Sequence, residues 1–99
     1  MKKHLQNIFN ELKSTIVGVL STELKLKGDK VLFNPPIRID LPPNNDEDFE
    51  TITEAEFDEK ENEWYIHNYI TYLDLSTDEY WTPLRDLTFE ELFEIAEKL

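Results

Sequence analysis

The chain has 99 residues and a formal net charge of -12 at pH 7, and 39% of its residues are hydrophobic. This length suits one core and the apolar content is too high for a disordered tail, so we expect a single acidic domain over residues 1–99. The chain has no cysteine, which excludes disulfides and thiolate chemistry. We expect neither a secretory leader nor a membrane span, because the apolar runs are too short, and we expect a cytoplasmic protein.

Charge is divided unevenly along the chain. Residues 1–30 carry six lysines against three acids, a net +3, whereas residues 31–99 carry four basic residues against nineteen acids, a net -15. The negative electrostatic field of so many acids repels nucleic acid and anionic membranes, so we expect this protein to bind neither directly. A protein partner with a basic surface remains open, although acids that only keep a small domain in solution would give the same composition.

The first predicted element is an amphipathic helix. Apolar residues recur at intervals of three and four and fall within a stripe about 120° wide. The spacing predicts a helix that ends within residues 22–27, before Gly28, with its apolar stripe in the core. An alternative makes Leu24 and Leu26 a short strand that turns at Gly28 into a strand over residues 31–33. The stripe consists of Leu5, Ile8, Phe9, Leu12, Ile16, Val19 and Leu20.

The sequence then changes to a period of two. Ile37, Ile39 and Leu41 alternate with charged residues between two pairs of prolines. Because proline cannot donate to a ladder, this segment predicts a short strand at a sheet edge. An exposed acidic loop is expected over residues 44–48.

Two longer strands are predicted next. Residues 49–58 and 63–73 form a hairpin rich in strand-forming residues. Ile52 is the apolar residue on the acidic side of the first strand, which we attribute to a β-bulge. Residues 80–84 predict a last strand, and Pro83 places it at an edge.

The C-terminal helix has a clear start signal. Thr88 and Glu91 have the spacing of a capping box, and Leu87 and Leu92 have that of a hydrophobic staple. The complete order, a helix, a meander of three to four antiparallel strands and a second helix, predicts an α+β fold with both helices on one face. The helix is expected to bury Leu92, Phe93, Ile95, Ala96 and Leu99, and the predicted core comprises Leu5, Ile8, Leu12, Ile16, Leu20, Ile66, Leu84, Leu92 and Ile95.

Nothing in the sequence predicts catalysis, a cofactor or a metal centre. The three serines lie in no nucleophile-elbow context, and two glycines cannot build a phosphate cradle. His4 and His67 have no second His or Cys at ligand spacing. Residues 44–50 alternate like a calcium loop, but Phe49 stands where glycine is required. We therefore expect a protein that is not an enzyme.

The predicted central strand is apolar on both sides. If one side faces the helices, the other presents Tyr65, His67, Tyr69 and Leu73 outward. Aromatic and polar groups in this mixture are typical of interface centres, so these residues predict a protein interface, either with another protein or in a homodimer. The competing interpretation is that the chain after Phe33, or the loop around residue 44, covers this face.

A second hypothesis is mimicry of nucleic acid. Acids on one strand face lie about 6.6 Å apart, whereas DNA presents a charge every 3.4 Å or so along each strand, so one strand is too sparse. A cluster of acids would come closer to that density and would inhibit a DNA- or RNA-binding protein by occupying its basic groove. The candidate residues are Asp46, Asp48, Glu54, Glu56, Asp58, Glu61 and Glu63.

The segment from Tyr80 to Ile95 reads YWTPLRDLTFEELFEI. With the acidic hairpin before it, this segment resembles the ending of small acidic uncharacterised proteins of gut-dwelling bacteria and their mobile elements. Those proteins begin with an N-terminal helix, which is followed by an apolar strand and an acidic hairpin. They end with a helix that carries the motif Leu-x-x-Leu-Thr/Ser-x-x-Glu-Leu. The resemblance implies the fold and supplies no activity or site.

Overall fold

A computed structural model of the chain describes residues 2–37 and 48–99. The chain forms an N-terminal helix, a sheet of four strands and a C-terminal helix. This is the α+β fold predicted from the sequence. The elements in chain order are α1 (Lys2–Lys27), β1 (Lys30–Phe33), β2 (Asp48–Asp58), β3 (Glu63–Tyr72), β4 (Thr77–Pro83), a 3-10 turn (Leu84–Asp86) and α2 (Phe89–Lys98).

Helix α1 runs for 26 residues and ends where the sequence predicts. Gly28 follows it with φ of 134°, a conformation that side chains disfavour, and its amide donates to the carbonyls of Leu24 and Lys25 at 3.2 Å each. The alternative strand through Leu24 and Leu26 is therefore wrong. The strand expected after the turn does form, as β1, but it pairs with β2.

The four strands form one antiparallel sheet in the order β1-β2-β3-β4. The predicted hairpin is β2 and β3, and β4 lies at an edge as its proline indicates. Ile52 pairs regularly with Tyr69, so the bulge predicted there is wrong, and the register instead shifts between Asp48 and Glu50. The predicted strand residues Ile39 and Leu41 lie outside the described residues, as do residues 44–47 of the acidic loop predicted over 44–48. The last residue of that loop, Asp48, is instead the first residue of β2.

The core lies between one face of the sheet and the two helices. Helix α2 begins as predicted, because the Glu91 amide donates to Thr88 Oγ1 at 3.1 Å and the Thr88 amide donates to Glu91 Oε1 at 2.8 Å. Buried residues come from every layer: Leu20, Leu24, Phe33, Ile37, Ala55, Trp64, Ile66, Leu84, Leu87, Leu92 and Ile95.

The core takes up less of both helices than the sequence predicts. Leu5, Ile8 and Leu12 are exposed at 50%, 46% and 49%, because only the C-terminal part of α1 reaches the sheet. In α2, Phe93 is 55% exposed, and Ala96 is exposed as well. Periodicity showed which residues share a side of each helix, but not how much of that side another element covers.

A polar contact anchors the chain after β1 to the inner face of the sheet. The Ile37 amide donates to Thr53 Oγ1 at 3.1 Å, and the Thr53 hydroxyl donates to Asn68 Oδ1 at 2.7 Å. Ile37 is fully buried at this position. The chain after Phe33 therefore reaches the helix side at residue 37, which contradicts the idea that it covers the outer face at that point.

Candidate functional site

The outer face of the sheet, opposite the helices, gathers the aromatic side chains of β3 and β4. Directly paired residues of an antiparallel sheet share a face, and His67 pairs with Trp81. Tyr65 and Tyr69 lie on the same side of β3 as His67 because strand side chains alternate. We name Tyr65, His67, Tyr69 and Trp81 the aromatic strip. Its β3 members are half-buried, and Trp81 is 51% exposed.

Ring contacts hold the aromatic strip in a defined geometry. The His67 imidazole stacks on the Trp81 indole with ring centroids 3.7 Å apart and planes only 3° from parallel. Tyr69 meets the same imidazole edge-on, with centroids 6.4 Å apart. Ring pairs of this kind contribute about 0.5–1.5 kcal/mol beyond their buried area. The strip therefore presents an organised surface rather than separate mobile rings.

Carboxylates border the aromatic strip on both sides. His67 Nε2 lies 3.0 Å from Glu79 Oε1, and His67 Nδ1 lies 3.7 Å from Glu56 Oε1. Glu54 pairs directly with His67 across β2 and β3. Partial removal from water, and next the Glu63 carboxylate, raise the pKa of Tyr65. The phenol therefore stays protonated at neutral pH and remains a hydrogen-bond donor within the acidic border.

Basic residues offset part of this negative charge. Lys30 Nζ lies 3.6 Å from Glu56 Oε1, but its side chain is 72% exposed. The Arg85 guanidinium donates a hydrogen bond to the Glu63 carboxylate, and this contact raises the pKa of Arg85 above its ordinary value. The carboxylates of Glu54 and Glu79 lie next to His67, so the surface around these rings is acidic.

The structure brings together part of the predicted acidic cluster. Glu54, Glu56 and Asp58 lie on the outward side of β2, and Asp58 pairs directly with Glu63. Glu61 is exposed in the turn between them. The position of Asp46 and the side chain of Asp48 lie outside the described residues.

The predicted interface residues fall mainly on the aromatic strip. Tyr65, His67 and Tyr69 face outward as expected, whereas Leu73 follows β3 in the turn and is 60% exposed. Trp81 was not predicted to belong to the interface, because the register of β4 against β3 is not apparent from the sequence. The sequence contained a signal for it, since alternation along residues 80–84 would have set Trp81 and Pro83 on one side.

Two further features adjoin the strip. Glu54, Glu56 and His67 have ligand atoms within 4.8 Å of one another, a set that could hold a divalent cation. Sequence spacing missed this group because the acids come from the neighbouring strand. An open cleft of about 630 Å³ lies beside it, lined by Glu56, Phe57, Asp58, Glu59, Lys60, Tyr65 and Trp81.

Comparison with protein-family models, with curated proteins and with solved structures finds no match. Within residues 2–37 and 48–99, neither helix is long and apolar enough to cross a membrane. The chemistry of the aromatic strip and its acidic border is therefore the basis for assigning a function.

Proposed function

We propose that this chain is a non-enzymatic binding module of the cytoplasm, and that the outer face of its sheet binds a cationic segment of a partner protein. The observation that carries this proposal is the half-exposed Trp81 stacked on His67, with the carboxylates of Glu54 and Glu79 on the two sides of that imidazole. Lysine and arginine side chains bind over aromatic faces, and carboxylates pair with their nitrogens. A basic segment could place its cations over the aromatic rings and pair them with the neighbouring carboxylates at the same time.

The acidic border supports a charged partner. Asp58 and Glu63 stand directly opposite each other at the end of the hairpin. Like charges in this position repel each other in an antiparallel pair. The Arg85 guanidinium pairs with Glu63, and the Asp58 carboxylate accepts hydrogen bonds from the Lys60 and Glu61 amides. A cation from a partner would offset the repulsion that remains between the two carboxylates.

Binding of defined peptides tests the proposal. We expect a labelled peptide rich in lysine and arginine to bind in a fluorescence anisotropy titration, with an affinity that falls as salt rises. An aspartate- and glutamate-rich peptide of the same length should not bind. Trp81→Ala should weaken binding by about tenfold, the size of an interface contact worth about 1.4 kcal/mol.

Phe93→Ala is the matched control, because Phe93 on α2 is 55% exposed against 51% for Trp81. It removes an aromatic ring of similar exposure from another face, so peptide binding should not change. Equal binding of the acidic and basic peptides, or equal effects of the two substitutions, would contradict the proposed site.

Nucleic-acid mimicry is the second candidate, favoured by the grouping of Glu54, Glu56 and Asp58 beside Glu63. Such a cluster would occupy a groove that otherwise binds phosphates, with steep salt dependence. Affinity capture from cell lysate at low and moderate salt should recover a DNA- or RNA-binding protein. Reversal of Glu54, Glu56 and Asp58 to lysine should abolish this capture with the fold intact. Capture that is indifferent to salt and to these changes would contradict mimicry.

A further inference from the structure

A second exposed apolar surface runs along α1. Leu5, Leu12, Val19 and Leu26 recur every seven residues and are exposed at 50%, 49%, 57% and 79%, and Ile8 between them is exposed at 46%. We name these five residues the α1 seam. From Leu5 to Leu26 the seam extends about 32 Å along the helix. Monomeric proteins rarely expose a continuous apolar patch of this extent.

The protein's own core lies on a different side of α1. Leu20 and Leu24, the buried residues of the helix, are displaced about 115° around its axis from the centre of the seam, at 100° per residue. Neither the sheet nor α2 removes the seam from water. A seven-residue apolar repeat on a long helix is the spacing at which one helix packs along another.

We infer that the α1 seam packs against the α1 seam of a second copy, with the two helices antiparallel. Threonines occupy the remaining seam-facing positions, Thr15 and Thr22, and both are exposed. In an antiparallel pair the first and fourth heptad positions meet. Leu12 of each copy then packs on Thr15 of the other, and Leu5 packs on Thr22. In the same register Ile8 of each copy packs on Val19 of the other, so an all-apolar contact lies between the two leucine–threonine contacts.

Charge complementarity selects the antiparallel direction. In this register Lys2 of one copy lies beside Glu23 of the other. The first turn of α1 has no acid, and Leu20 and Leu24, by which the helix joins the core formed with the acidic sheet, lie towards its other end. Antiparallel packing brings the basic end of each helix to the acidic half of the second copy.

Parallel packing has the opposite electrostatics. It would place Lys2 and Lys3 of both copies side by side, and it would bring together two segments over residues 31–99 that each carry a net -15. Like charges at such an interface oppose association. The helix macrodipoles also favour the antiparallel arrangement.

Mass measurement with a substitution in the seam tests the dimer. We expect light scattering after gel filtration to give twice the chain mass of 11.8 kDa. Leu12→Glu should raise the dissociation constant by roughly tenfold or more, because each interface would bury two unpaired charges. Asn7→Glu adds the same charge at an exposed position away from both the seam and the core, and it should remain dimeric. Circular dichroism of both variants should show unchanged helix content.

Cysteine crosslinking tests the direction, because the natural chain has no cysteine. A mixture of Leu5→Cys and Thr22→Cys chains should oxidise to mixed dimers, and each variant alone should stay uncrosslinked. Self-crosslinking of Leu5→Cys would overturn the antiparallel register. A monomeric mass for the unmodified chain at every concentration, or a dimer that Leu12→Glu leaves unchanged, would overturn the proposal. Peptide binding by the sheet is a separate measurement, since Leu12→Glu leaves that face unaltered.

Discussion

At the scale of single residues, the Thr53 hydroxyl forms a buried hydrogen-bonded contact that we expect to stabilise the fold. Its hydroxyl joins the Ile37 amide to the Asn68 side chain, and both Thr53 and Asn68 are almost completely removed from water, at 0% and 1% exposure. A buried polar group that loses its partner costs about 1–3 kcal/mol. This hydroxyl therefore connects the end of the segment after β1 to the middle of the sheet.

Thr53→Val should test this role, because valine keeps the shape and removes the hydroxyl. We expect a loss of about 1–3 kcal/mol in the free energy of unfolding, since the Ile37 amide and Asn68 would be left without their partner. Urea denaturation measures the change. Thr77→Val at an exposed position of β4 is the control, and we expect a change within about 0.5 kcal/mol. Equal effects would contradict the importance of the buried contact.

At the scale of elements, the two helices use their apolar sides differently. Helix α2 buries Leu92 and Ile95 completely and leaves Phe93 55% exposed. Helix α1 buries Leu20 and Leu24, close to its end, and leaves the α1 seam in water. The apolar side of α2 is thus mainly structural, whereas most of that of α1 is available to a second molecule.

Substitutions within α2 should separate buried from exposed apolar residues. We expect Ile95→Ala to lower the free energy of unfolding by about 2–5 kcal/mol, because it leaves a cavity in the core. Phe93→Ala removes more atoms, but its ring is largely in water, so we expect a loss below about 1 kcal/mol. Thermal and urea denaturation both report this difference. Similar losses for the two variants would contradict the placement of α2.

At the scale of the whole molecule, we expect repulsion between acids to outweigh the attraction within surface ion pairs. The net charge is -12, and exposed pairs such as Lys25 with Asp29, whose Nζ and Oδ1 are 2.6 Å apart, contribute little to stability. The acids of β2 and β3 are concentrated on one face, which intensifies their repulsion. Stability should therefore depend on the screening of charge.

We expect Tm to rise by several degrees between about 0.01 M and 0.15 M salt, as the screening length falls from about 30 Å to about 8 Å. Replacing Glu54 and Glu56 by glutamine should raise Tm at low salt and reduce its dependence on salt, since fewer like charges remain. Calorimetry at a fixed protein concentration measures both effects. A fall in Tm with added salt would indicate that attractive ion pairs dominate instead.

Several features of this protein follow from its sequence by itself. The capping box of Thr88 and Glu91, the end of α1 before Gly28 and the hairpin of β2 and β3 were all predicted. Each depends on hydrogen bonds or side-chain alternation between residues close in the chain, so the local sequence contains the necessary information. The outward side of β3 was predictable for the same reason.

Only the tertiary structure decided which predicted surfaces are covered and which residues of different strands meet. Leu5, Ile8 and Leu12 belong to the predicted stripe with Leu20, yet they remain exposed because the core covers only the side of α1 that carries Leu20 and Leu24, near its C-terminal end. His67 meets Trp81 through the pairing of β3 with β4. Burial and register depend on what lies across the core or the adjacent strand, and periodicity along one element contains no information about that partner.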